Sequence, residues 1–274
     1  MEEFLALREM IYARSGIFFP ESKLYLLEGR LAIRLNELEL EGFKEYLIYL
    51  KDIRHLEREM PQIFNLVTIN ETYFFRYPSQ LDIYSKVVLP ELIKRGETKG
   101  QRAIKMWSAA SSSGEEAYTM AMLTAEGLGH RTGSWDVSIL ATDISSKILD
   151  LARQGIYGPN SFRGNVSPYY QTKYFIPNSD RFKVNTQLES MVRFDHLNLS
   201  DFAKIRSLRG MDVVFCRNVL IYFDKEMKRQ LLKSLYNVLN HGGYLFLGEA
   251  ESLHGISSSF QVIHHPGAFV YKKE

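Results

Sequence analysis

The chain has one cysteine, Cys216, which excludes an intramolecular disulfide and leaves no thiolate set for a metal cluster. A reducing compartment is the expectation. No apolar run is long enough to cross a bilayer. The opening Met-Glu-Glu has neither the basic segment nor the apolar core of a signal peptide, so the chain reads as cytoplasmic with no membrane insertion. An excess of one charge is also missing. Lys and Arg total 34 against 32 Asp and Glu, and a net charge of +2 offers no broad footprint for nucleic acid. No Ser-His-Asp set or metal-ligand spacing emerges, and His264-His265 reads as structural. What remains is an ordinary globular chain of 274 residues, long enough for one large domain or a small one beside a medium one.

The organising stretch is Ile104–Ser145. Ile104, Met106 and Trp107 form a strand running into Ser108-Ala109-Ala110-Ser111-Ser112-Ser113-Gly114. Glu115, Glu116 and Tyr118 open a helix, and a second strand, Val137–Ala141, stops at Thr142-Asp143. Such a unit begins a nucleotide-binding α/β sheet, in which ligands lie at the carboxyl ends of the strands. The turn lacks the G-x-G-x-x-G that a pyrophosphate needs, and two glutamates at the helix start would repel a phosphate. A nucleoside without phosphate fits better. S-adenosylmethionine is such a ligand, a sulfonium cation whose ribose hydroxyls Asp143 can accept. A blander reading stands beside it, with Glu115 and Glu116 as first-turn residues and Asp143 as a helix cap.

Before this unit, residues 1–62 are helical in pattern. Leu24, Leu27, Leu31, Leu35 and Leu38 share one face, and Lys23, Arg30 and Arg34 form a second stripe beside it. That stripe is either a solvated flank or a dock for an acidic partner. Residues 63–77 join the bundle to the α/β unit. Their centre, Thr68–Arg76, is too aromatic for a tether and is expected to be buried. Asn70 and Thr72 face one side if the segment is extended. Leu81–Arg95 reads as a helix broken near Pro90 and closed at Gly96. Residues 78–274 continue as alternating helices and strands, interrupted at about 158–192 by a small antiparallel insertion. Asp224 caps a helix that His241-Gly242-Gly243 closes, and a hairpin around Pro266-Gly267 ends the chain. The expected fold is α/β, mostly parallel with an antiparallel edge, with a small N-terminal all-α domain.

Four stretches in this order resemble the CheR family, S-adenosylmethionine-dependent methyltransferases that esterify glutamates of chemotaxis receptors. They are Asn70-Glu71-Thr72-Tyr73-Phe74-Phe75-Arg76, Trp107–Ala110 with Ser113–Glu116, Thr142-Asp143-Ile144, and Phe215-Cys216-Arg217-Asn218-Val219-Leu220-Ile221-Tyr222-Phe223-Asp224. The resemblance covers almost the whole chain. It implies a Rossmann-like methyltransferase sheet, S-adenosylhomocysteine as product, and a cytoplasmic helical region of a chemoreceptor as partner of a monomeric enzyme. It places Asn70, Thr72, Arg76, Glu116, Asp143, Asn198, Leu199, Arg217 and Asn218 around the cofactor, with Arg76 and Tyr222 near the transferred methyl. Two departures, Ser111 and Ala117, are small enough for binding to survive. A third matters more: Ile176–Arg181 is short and lacks the glycines of members that tether a receptor's C-terminal peptide, so tethering is not expected here.

Methyl transfer to a carboxylate needs little acid–base help, because a glutamate of pKa about 4.3 is already ionised near neutrality. In-line positioning and water exclusion should dominate. Among rivals, a nucleic-acid amino-methyltransferase would want an Asn-Pro-Pro-aromatic clamp, which Arg217–Leu220 does not supply. A dehydrogenase lacks its glycine fingerprint. A non-catalytic cofactor-sensing module, or a related methyltransferase in another signalling pathway, would share the pocket.

Overall fold

The computed structural model describes residues 2–164 and 166–274. It opens with four helices, α1 (Glu2–Ser15), α2 (Leu24–Glu37), α3 (Phe43–Tyr49) and α4 (Ile53–Val67). Leu24, Leu27, Leu31 and Leu35 recur every three or four residues, so one face of α2 is buried throughout. Asp52 caps α4, accepting from the Arg54 N–H at 2.8 Å. The helix runs to Val67, so the extended stretch starts at Thr68, later than the expected joint at residue 63.

The basic stripe of α2 needs correction. Arg34 is not a free surface cation. Its Nη2 and Nε reach the buried Glu59 of α4 at 2.7 and 2.9 Å, while Tyr46 donates to the same carboxylate at 3.1 Å. A buried carboxylate must be paired, so Arg34 is drawn inward as its counter-ion. Arg30 is half-buried and donates to the Val67 carbonyl at 2.5 Å. Lys23 alone of the three is exposed.

Next come α5 (Pro78–Ile83) and α6 (Leu89–Lys99), joined without a break by a π turn over Tyr84–Val88. Here the Leu89 N–H donates to Tyr84 O, five residues back. The extra residue in the turn accommodates the missing donor and the ring of Pro90, so the expected break does not occur. Gly96 does not close the helix either. It lies where an added Cβ would meet the Trp135 ring at 2.6 Å, and the helix ends at Gly100, φ +66°.

The sheet follows: β1 (Ala103–Ala109), α7 (Glu115–Leu128), β2 (Asp136–Asp143), α8 (Ser146–Gln154) and the short β3 (Ile156–Tyr157). Then come α9 (Pro168–Tyr174), β4 (Phe175–Asn178), β5 (Arg181–Val184) and α10 (Thr186–Glu189). The chain finishes with β6 (Val192–His196), α11 (Phe202–Ser207), β7 (Met211–Cys216), α12 (Lys225–Val238), β8 (Leu239–Leu247), β9 (Gln261–His265) and β10 (Ala268–Lys272). The main sheet has the order β6-β2-β1-β7-β8-β10-β9, with parallel pairs from β6 to β8 and an antiparallel β9–β10 hairpin at the edge. Successive residues alternate faces: Met106, Val213 and Phe215 pack with α5–α7, whereas Trp107, Val214 and Cys216 pack with α12 and the N-terminal bundle. The insertion is a separate antiparallel sheet, β3-β5-β4, as expected. His241-Gly242-Gly243 is not a helix cap. α12 ends at Val238, and these residues form a bulge in β8, where Met211 pairs Leu239 but Val213 pairs Tyr244.

Candidate functional site

Strand order reverses between β1 and β7, the switch point at which open α/β sheets leave a crevice. A pocket occupies that crevice, walled by the loops after β1, β2, β6 and β7, by Val67–Thr72 and Arg76, and by Ser15 and Ile17 from the helical bundle.

The first wall is the turn after β1. Ala110 and Ser112 adopt φ of +62° and +52°, and Gly114 adopts +95°. A Cβ on Gly114 would fall 2.8 Å from the Phe194 ring, so glycine is required there on both counts. Asp143, at the end of β2, ties this turn to its own loop, accepting from Ser112 N at 2.9 Å and Ser145 N at 3.0 Å. Burial pushes its pKa up, against the opposing pull of these N–H groups. The helix cap is Ser145, whose Oγ accepts from Ile148 N at 3.3 Å, so Asp143 keeps lone pairs for a ligand.

The two glutamates divide. Glu116 lines the pocket, accepting from Ser108 Oγ at 2.6 Å and Arg217 Nε at 2.7 Å. Glu115 turns toward the insertion, accepting from Ser113 Oγ at 2.6 Å and Ser161 Oγ at 2.8 Å, and burial raises its pKa. Arg217, only 6% exposed, also donates to Arg76 O at 3.0 Å and Gln80 Oε1 at 3.1 Å. It therefore clamps the linker onto the sheet as well as walling the pocket.

The linker is buried only in part: within Thr68–Arg76 Phe74 alone is fully covered, and Ile69 and Glu71 stay exposed, because the remaining side chains border the pocket and the surface. Phe74 is packed against Tyr157, Phe162 and Phe175 of the insertion, while Asn70, Thr72 and Arg76 line the pocket. Arg76 donates through Nη1 to Glu71 O at 2.7 Å and through Nη2 to Tyr77 OH at 3.2 Å. Its Nε and the Ser111 Oγ are both buried and, among the described residues, without a partner, and both residues face this pocket. Buried polar atoms are normally satisfied, so these two mark where a polar ligand would bond. Asn218, φ +61°, donates from Nδ2 to Tyr77 OH at 3.0 Å. Leu199 gives an apolar wall. Asn198 also lines the pocket, but its amide is engaged elsewhere: Nδ2 donates to Arg14 O at 2.6 Å and Oδ1 accepts from Ser200 N at 3.0 Å. Tyr222 lies at the same pocket; burial raises its pKa, and Arg30 and Arg76 oppose the rise.

Sequence reasoning missed the part played by Ser15 and Ile17, and that of Tyr77 and Glu251 behind the walls. Gly16, left-handed at φ +71° between two helical segments, was the available signal for the first pair. The second pair is recruited by tertiary contacts and leaves no local trace. The strain was also hidden: Phe75, Tyr77, Ala110, Ser112 and Asn218 all have left-handed backbone, and all belong to the loops that form this pocket.

The donor set suits a nucleoside carrying a cationic centre. Glu116 and Asp143 are carboxylates, Arg217 is neutralised by Glu116, and the unpartnered Ser111 hydroxyl and Arg76 Nε await polar groups. S-adenosylmethionine meets those requirements. Comparison with known proteins agrees with this geometry. Residues 70–269 match the model of the CheR methyltransferase, SAM binding domain, and residues 2–68 that of the CheR methyltransferase, all-alpha domain. Chemotaxis protein methyltransferase 2 of Vibrio cholerae is 37% identical over 261 residues, covering 95% of this chain and 88% of that protein. The chemotaxis protein methyltransferase of Borreliella burgdorferi is 35% identical over 260 residues, covering 93% and 89%. Pocket, sheet order and these relatives converge: the chain belongs to the CheR family of S-adenosylmethionine-dependent chemotaxis methyltransferases.

Proposed function

We propose that this protein methylates glutamate side-chain carboxylates in the cytoplasmic helical region of a chemoreceptor, acting as a cytoplasmic monomer and releasing S-adenosylhomocysteine. The observation that carries this reading is that one pocket brings the polar groups of Asn70, Thr72, Glu116 and Asp143 together with Arg76 and Tyr222. When bound, S-adenosylmethionine supplies an electrophilic methyl group. Asp143 accepts from its ribose hydroxyls, Asn70, Thr72 and Asn218 hold its polar groups, and Leu199 covers its apolar surface. Arg76 orients a carboxylate through its free Nε, and the Tyr222 hydroxyl donates one hydrogen bond to the acceptor. Neither group needs to move a proton, since the acceptor is ionised already. Both must hold it loosely, because a tightly bound oxygen is a poorer nucleophile.

Docking is assigned to α2. Lys23 can face acids on a receptor helix, whereas Arg30, half-buried on the Val67 carbonyl, and Arg34, committed to Glu59, support α2 from behind. The turn between β4 and β5 is tight, with Ser179 left-handed at φ +54°, and its brevity supports activity without a peptide tether. The test is incubation with methyl-labelled cofactor and receptor cytoplasmic fragments with and without their C-terminal peptide. Alkali-labile label on glutamates of both fragments is expected. Label that is alkali-stable, or found only on the peptide-bearing fragment, would overturn the acceptor or the tether reading respectively.

A further inference from the structure

The loop Arg217–Tyr222 carries Asn218 and Tyr222 into the pocket, yet its backbone is held from behind by a residue that never reaches the pocket. Glu251 follows β8 and is only 5% exposed. Its Oε2 accepts from Gly248 N at 2.7 Å and Asn218 N at 2.8 Å, and its Oε1 accepts from Ile221 N at 3.3 Å. No cation pairs with it among the described residues; three backbone N–H groups stabilise the buried charge instead. Two of those three belong to the loop, one at each end of the segment between the pocket-lining side chains. Asn218 is left-handed, a conformation that persists only where surroundings enforce it. Gly248 completes the device: a Cβ there would lie 2.7 Å from Glu251 Oε2 and 2.9 Å from Asn218 N, so only glycine lets carboxylate and loop meet.

We infer that Glu251 is a positioning residue for methyl transfer, fixing the 217–222 loop so that Tyr222 meets the acceptor. It acts through the loop and touches neither cofactor nor acceptor. The inference rests on the role proposed above for Tyr222. Glu251→Gln retains size but turns an N–H₂ group toward N–H donors, so the loop loses at least one anchor. Gly248→Ala displaces the same loop while keeping the carboxylate.

Each variant is assayed for kcat on a receptor fragment, normalised to the S-adenosylhomocysteine sites counted by calorimetry. Both should lose roughly tenfold to a hundredfold in kcat, the worth of hydrogen bonds to a charged group. The Kd for S-adenosylhomocysteine should rise by a smaller factor than kcat falls, because Asn218 is one contact among several and most of that wall comes from β1, β2 and the linker. Combined with Tyr222→Phe, Glu251→Gln should add little further loss, since both remove one function. Should Glu251→Gln fail to fold, Gly248→Ala carries the same three readings. Unchanged kcat, a Kd that rises as far as kcat falls, or losses that multiply in the double variant would each overturn the inference. Tyr222→Phe at full speed would overturn the proposed role of the tyrosine. A slow Tyr222→Phe beside a fully active Glu251→Gln would overturn the positioning role alone.

Discussion

Asp143 is the residue on which the pocket turns, since it bonds two loops at once and still has lone pairs for a ligand. Asp143→Ala should weaken S-adenosylmethionine and S-adenosylhomocysteine alike by roughly tenfold to a hundredfold, read by calorimetry. The same side chain sets a pH dependence. Its ionised form accepts hydrogen bonds, and its pKa is raised by burial. Affinity should therefore be full above that raised value and decline as pH falls through it, at a higher pH than an ordinary aspartate would give. Titration of S-adenosylhomocysteine binding downward from neutral pH, beside the same titration of Asp143→Asn, checks the sign. Arg76→Ala should leave stability within about 1 kcal/mol, as for a partly exposed side chain outside the hydrophobic core, yet depress methyl transfer. Early unfolding with full activity of the remaining fold would make it a clamp instead. Asp143 and Glu116 were legible because each follows the end of a strand or opens a helix. The engagement of Asn198 with Arg14, 184 residues away, was not, because nothing local announces it.

At the scale of elements, periodicity revealed α2 and its buried leucines but could not say which cations on its flank were free. Glu59 decided that, from another helix. Arg34→Ala should destabilise the protein by about 3 kcal/mol, because it strands a buried carboxylate, whereas Lys23→Glu should shift stability by less than about 0.5 kcal/mol. Denaturant unfolding of the two variants separates them. The helix across Pro90 shows a similar limit: proline signals a lost hydrogen bond, and whether a π turn absorbs it depends on what the helix packs against. Gly96 misled for the same reason, being small to admit Trp135 and not to end a helix.

Over the whole molecule, the helical bundle is part of the site. Tyr12 donates to Asp224 at 2.7 Å, Phe18 N to Tyr222 O at 2.8 Å, and Ile17 bridges Phe223. Removing residues 2–19 should therefore lower S-adenosylhomocysteine affinity as well as receptor methylation; calorimetry on the truncated chain would show it. Reversing the exposed Lys23 to glutamate should slow receptor methylation modestly and most at low ionic strength, with cofactor binding little changed. Equal methylation by both proteins at low salt would make the stripe a solvated flank. The left-handed residues that ring the pocket carry a consequence for its thermodynamics. Phe75, Tyr77, Ala110, Ser112 and Asn218 have left-handed backbone, a strain that persists only where the surrounding structure enforces it. Walls enforced by the fold itself should lose their ordering entropy when the chain folds and not when it binds. Amide exchange at 110–113 and 217–218 should accordingly be slow in the free protein and only slightly slower with S-adenosylhomocysteine, and the cofactor should enter a cavity already in its final shape.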